Sequence, residues 1–229
     1  MSVLLRGTPT TYVNNAAGTD IVLVPDAAVV AGDDLYAIIA HDADAVITPP
    51  IGWDTYQDNG GPGMGHRHSI FRLHLTGSPA SSYTFVSAGS NGRLGVLIAI
   101  NPNGCTFVGY STPTSAATSA ASIVTGSVTV PSTPNLLLAS FTCDANDTIA
   151  TPPSGMTRAA YADGSSLELD AYYAIDHASG ATTKTLDWST GGFGHIANIV
   201  AIEYAAGGGG GGFVPEEDYQ LWLPVQAAA

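Results

Sequence analysis

Residues 35–53, LYAIIAHDADAVITPPIGW, return in altered form as LLASFTCDANDTIATPPSGM at residues 137–156. The two TPP-x-G cores, TPPIGW (48–53) and TPPSGM (151–156), lie at an offset of 103. At that offset Leu35 falls on Leu138 and Asp44 on Asp147. Further along, the agreement continues at 102: Phe71 and Leu73 fall on Tyr173 and Ile175, and GVLIAI (95–100) on ANIVAI (197–202). YTFVS (83–87) matches KTLDWS (184–189) more loosely. Drift of one residue is what a change in loop length produces. A match held this long points to an internal duplication with units of about 100 residues, the usual size of a small sandwich.

Both copies read as strands. DLYAIIA (34–40), HSIFRLHL (68–75), SYTFVS (82–87), RLGVLIAI (93–100), NLLLASFTC (135–143), LELDAYYAI (167–175), TTKTLDWS (182–189) and HIANIVAIEY (195–204) are rich in β-branched and aromatic residues. Clusters of Gly, Pro, Asn, Asp and Ser separate them. No capped window of 3.6-residue periodicity stands out. SAATSAAS (115–122) has alanines but no apolar stripe, and reads as a loop. The expected fold is all-β: two tandem β-sandwich units of jelly-roll or Ig-like type, residues 1–108 and 109–206, followed by an extended C-terminal arm.

The arm is compositionally distinct. Residues 207–212 are six glycines, a flexible linker with a mean span of roughly 13 Å. Residues 213–229, FVPEEDYQLWLPVQAAA, are too short to build a core and too apolar for a solvated tail. Phe213, Tyr219, Leu221, Trp222 and Leu223 are the expected partner-binding residues. YQLWLPV would add as an edge strand on another subunit, ahead of folding back onto its own sandwich, with Pro224 ending the run.

Charge narrows the partners. Six Lys and Arg stand against nineteen Asp and Glu, a net charge of −13. That balance argues against nucleic acid, which needs cations to displace its counterions, and against anionic lipid. No apolar run approaches the ~20 residues of a membrane-spanning helix. The start, MSVLLRGTPT, lacks the apolar stretch of a secretory signal. The two cysteines, Cys105 and Cys143, fall in different units and are expected to be buried free thiols.

Motifs for chemistry are sparse. There is no G-x-S-x-G, H-E-x-x-H, C-x-x-C or phosphate-binding glycine loop, and no enzyme activity, cofactor or metal is expected. In HRHSIFRLH (66–74), a period of two places His66, His68, Ile70, Arg72 and His74 on one face. This face reads as a polar outer surface opposite buried Phe71, Leu73 and Leu75, ahead of a metal-binding row. At offset 102 His66 and His68 fall on Glu168 and Asp170, so rows of opposite charge would meet head to tail between copies. Asp42 and Asp44, with Asp144, Asn146 and Asp147, read as turns ahead of calcium loops. Trp53 and Trp188 read as core or rim residues ahead of sugar-stacking platforms.

One local pattern resembles a known family. VVAGDDLYAIIA (29–40) and PPIGW (49–53), followed by SYTFVS and GVLIAI, resemble the β-sandwich modules of minor structural proteins of tailed bacteriophages and gene-transfer particles. The resemblance covers the first copy well. The second has PSTPN (131–135) where the first has VAGDD. It implies a non-enzymatic virion component: a head decoration, a fibre or a tail-associated protein. Such a protein would be made in the host cytoplasm, form a homo-oligomer and contact other virion proteins. The alternative is a carbohydrate-binding protein that recognises a host surface glycan from the particle's exterior.

Overall fold

The computed structural model describes residues 2–205 except 16–17, 44, 61–64, 91, 112–113, 133, 144–148, 165–166 and 190–193. The described secondary structure is β throughout, and its strands pair antiparallel. The first inner sheet runs Leu4–Leu5, Arg93–Asn101, Asp34–His41, Arg67–His74, Asp54–Gly60, and Thr10–Asn14 also pairs with Arg93–Asn101. The second inner sheet runs Thr106–Tyr110, His195–Ala205, Asn135–Cys143, Glu168–Ile175, Thr157–Asp163, and Thr114–Thr118 also pairs with His195–Ala205. The two orders are the same. Each inner sheet carries an outer layer: Gly18–Leu23, Tyr83–Ser90 and Ile47–Thr48 on the first, and Ser122–Val124, Thr185–Trp188 and Ile149–Thr151 on the second. Val128–Val130 and Gly180–Thr182 form a further pair beside the latter.

Three cores fill the spaces between these layers. Ile21, Leu23, Leu35, Ala37, Ile39, Phe71 and Phe85 pack between the first inner sheet and its outer layer. Ile123, Leu137, Ala139, Phe141, Leu186 and Trp188 do the same in the second half. A third core lies between the inner sheets, where Tyr36, Ile38, Ile70, Val96 and Ile98 meet Leu136, Leu138, Leu169, Val200 and Ile202. Both faces of each inner sheet are therefore covered. This explains why Asp34–His41 and Asn135–Cys143 are buried along their whole length and show no apolar–polar alternation.

Strand pairing fixes the correspondence between the halves. Asp34 lies opposite Ile100 and His74, and Leu136 lies opposite Ile202 and Ile175. Tyr36, Ile38, Leu136 and Leu138 all face the central core, so with these pairings the central strands match at 102 and the strands Arg67–His74 and Glu168–Ile175 at 101. The sequence alignment at 103 and 102 is one residue out in these strands, and a one-residue slip moves every side chain to the opposite face. TPP-x-G itself keeps 103. Its glycines, Gly52 at φ +93° and Gly155 at φ +69°, both occupy the left-handed region, which accounts for the recurrence of glycine there. Both following strands bulge at the same place, between Thr55 and Gln57 and between Arg158 and Ala160.

The segment expected to be a loop, SAATSAAS, instead contributes to Thr114–Thr118 and begins Ser122–Val124. Pairing with His195–Ala205 holds the first of these, and Ala116 packs on the second outer core. Small alanines can line a sheet without giving an apolar stripe.

Gly95 supplies a test of layer spacing. A Cβ built there would lie 2.8 Å from Leu23 Cδ2 and 3.4 Å from Ile21 Cγ2. Both neighbours are buried in the first outer core. Gly95→Ala is expected to destabilise the protein by about 1–3 kcal/mol through overpacking, read as a shift in the urea midpoint. The matching residue, Ala197, already carries its methyl group, so Ala197→Gly tests the same interface in the second half.

Candidate functional site: a charged cleft at one end of the central core

Polar groups interrupt the central core near both ends. At one end, Asp34 opens the central strand of the first inner sheet and is fully buried. Its Oδ1 accepts from Arg72 Nη2 at 2.7 Å and from His74 Nδ1 at 2.9 Å. Its Oδ2 accepts the Tyr204 hydroxyl at 2.8 Å, reaching across from the second inner sheet. Because Tyr204 donates there, its oxygen receives the Tyr36 hydroxyl, 2.8 Å away. The Arg72 guanidinium lies 3.6 Å from the Phe107 ring centroid, and Nη1 stands 3.9 Å from Asp54 Oδ2.

These contacts set the protonation states. Burial pushes the Tyr36 and Tyr204 phenols far above their ordinary value, and the nearby Asp34 charge adds to this, so both remain donors. Burial works against the Arg72 charge, but Tyr36, Asp34, Tyr56 and Tyr204 outweigh it and hold the guanidinium charged. A carboxylate can only accept, so His74 Nδ1 carries the proton. In the neutral ring Nε2 is then an acceptor, on a side chain that is 49% exposed. The groups open onto a cleft of about 420 Å³, lined by Asp34, Arg72 and His74 from the first inner sheet and by Pro102, Cys105, Thr106 and Phe107 from the turn and strand leading into the second.

The second half provides an internal control. In its ladder the places of Asp34, Tyr36, Arg72 and His74 are taken by Leu136, Leu138, Tyr173 and Ile175. Asp54 corresponds to Thr157. The same backbone arrangement is built there from mostly apolar side chains. A buried ion cluster carries a desolvation penalty that apolar packing avoids, so the folding of this sheet does not by itself require these charges.

At the other end, His66 and His68 are fully buried between the sheets, which corrects their expected place on an outer face. His66 Nε2 pairs with Thr142 Oγ1 at 2.9 Å. His68 Nδ1 accepts from Asn198 Nδ2 at 2.5 Å, and Asn198 Oδ1 accepts from Gln57 Nε2 at 2.5 Å. Period two did group these histidines with Ile70, Arg72 and His74, but a second sheet covers that face. Head-to-tail pairing with Glu168 and Asp170 is overturned as well. Those two are also buried, and Asp170 is held by Arg158 at 2.7 and 3.0 Å and by the Tyr172 hydroxyl at 2.8 Å.

Of the other sequence candidates, Trp53 packs edge-on against Tyr83 and Phe85, and Trp188 stacks on His195, all within the cores. Cys105 and Cys143 are buried free thiols. Asp42 donates its amide to the Gly92 carbonyl, while Asp44, Asp144, Asn146 and Asp147 lie outside the described residues. Among the described residues no three His, Cys, Asp or Glu side chains are placed to share a metal ion. Phe213, Tyr219, Leu221, Trp222 and Leu223 lie outside the described residues.

Asp34, Tyr36 and Tyr204 were not distinguished by the sequence as site residues. The available signal was the exchange of charged for apolar residues between the two halves, visible only once strand pairing corrects the alignment. Comparison with protein-family models, with curated proteins and with solved structures finds no match.

Proposed function

We propose that the protein is a structural, non-enzymatic component of a tailed-phage-type particle. In this reading its four-layer body serves as a rigid block, and its C-terminal arm joins it to neighbouring subunits. The resemblance of VVAGDDLYAIIA and PPIGW to phage structural modules motivates the reading. The observation that carries it is the third core. A chain of two independent sandwiches would flex at their junction, whereas here Tyr36, Ile38 and Ile98 share one interior with Leu138, Val200 and Ile202. Such a body can transmit load between its attachment points. Ala205, paired with Thr106, ends the last described strand, and in the sequence the glycine linker and arm lie beyond it.

Deleting residues 207–229 tests the arm. Among the described residues the three cores are drawn from residues 3–204, and the truncated chain is expected to keep its unfolding midpoint. It is expected to lose self-association in analytical ultracentrifugation and incorporation into particles, scored by mass spectrometry of purified virions. Unchanged assembly of the truncated chain would refute the role of Phe213, Tyr219, Leu221, Trp222 and Leu223.

A further inference from the structure

We propose that the cleft beside Asp34, Arg72 and His74 is a binding site for a neutral sugar ring. The inference does not depend on the particle reading, since it concerns the chain alone in solution.

Three observations carry it. The first is the internal control: Leu136, Tyr173 and Ile175 occupy the matching places in the second half, so the charged set answers to something other than sheet formation. The second is a built site. Arg72, with only 7% of its side chain exposed, is anchored by Asp34 at 2.7 Å and stacked on Phe107, yet it still lines the cleft. Asp34 is engaged by three donors, and this fixes the orientation of the His74 ring. The third is the chemistry on offer. The ligand-facing chemistry is amphoteric: an imidazole Nε2 accepts on a neutral ring and donates on a charged one, the Thr106 hydroxyl both donates and accepts, and Pro102 and Phe107 supply apolar surface.

Charge and size select among ligand classes. Asp34 and Arg72 cancel, Asp54 stands alongside with a negative charge, and the chain carries −13 overall, so an anion is disfavoured. A wholly apolar ligand would cover His74 and Thr106 without satisfying them. A sugar ring presents hydroxyls that both donate and accept, and C–H faces suited to Pro102 and Phe107. The volume of about 420 Å³ lies within the range of small-ligand sites.

The test is a titration of the isotope-labelled full chain with a panel of free hexoses, 6-deoxyhexoses and N-acetylhexosamines, followed by amide and imidazole NMR shifts. At least one sugar is expected to give saturable shifts at Thr106, Phe107 and the His74 ring, with Kd on the order of 10 mM. Thr106→Val, at an exposed position, should weaken that binding by about tenfold without moving the melting temperature, and His74→Ala should weaken it at least as much. The proposal is overturned if no panel member gives saturable shifts at these residues up to about 200 mM, a concentration at which such a Kd would give near-saturation. It is also overturned if the shifts survive both substitutions. Saturation by acetate or phosphate in place of sugars would overturn it too, and would mark an anion site.

Discussion

Asp34→Asn is expected to lower the unfolding free energy by about 3–5 kcal/mol, because it removes the countercharge from a buried guanidinium. Arg72 has little else: Asp54 stands at 3.9 Å and is mostly exposed, so water screens it. Tyr204 and His74 also lose a charged acceptor. The second half suggests the rescue. Replacing the set by its counterparts, Asp34→Leu with Arg72→Tyr and His74→Ile, is expected to recover most of the loss, since an apolar filling leaves no stranded charge. Urea unfolding of the single and triple variants measures both. A triple variant no more stable than Asp34→Asn would show that the charges are needed for folding, and would remove the internal-control argument for the cleft.

Acid should weaken the opposite end of the same core. Burial, with a smaller contribution from neighbouring His66, pulls His68 down to about 3 from an ordinary value near 6.5. The folded protein therefore keeps this ring neutral over a range in which the unfolded chain protonates it. Its contribution to stability is complete above pH ~6.5 and falls by about 1.4 kcal/mol per pH unit below that, roughly 2–3 kcal/mol by pH 4.5. His41, also lowered by burial, acts in the same direction. Asp170 is raised by burial, which outweighs Arg158 and Tyr172, so it takes up its proton earlier in the fold and offsets part of the loss. In the second ladder the place of His68 is held by Leu169. His68→Leu should therefore flatten the acid limb by about one proton, although it leaves Asn198 Nδ2 short of an acceptor. Melting curves of both proteins from pH 7.5 to 4.5 decide this, and parallel limbs would mean that His68 does not titrate as its burial requires.

The sheets were legible because apolar segments and turn residues alternate along the chain, and TPP-x-G was legible because left-handed Gly52 and Gly155 tie it to a fixed backbone shape. Register was harder. A strand with one wet face betrays a slip by putting polar residues inside, but Asp34–His41 and Asn135–Cys143 are buried on both faces and give no such warning. The same covering sheet explains the misplacement of His66 and His68. A histidine at every second position looks like a solvent face until an opposing layer supplies Thr142 and Asn198 as partners. The cleft rests on contacts between Asp34 and Arg72, 38 residues apart, and between Asp34 and Tyr204, 170 apart, which no local motif links.

The shared interior also bears on how the molecule comes apart. Prising the halves from one another would wet Ile38, Ile70, Leu138 and Val200 together, so heating should produce one calorimetric transition rather than two. For the same reason, two polypeptides severed between Thr118 and Ser122 should recombine when mixed, each templating the other.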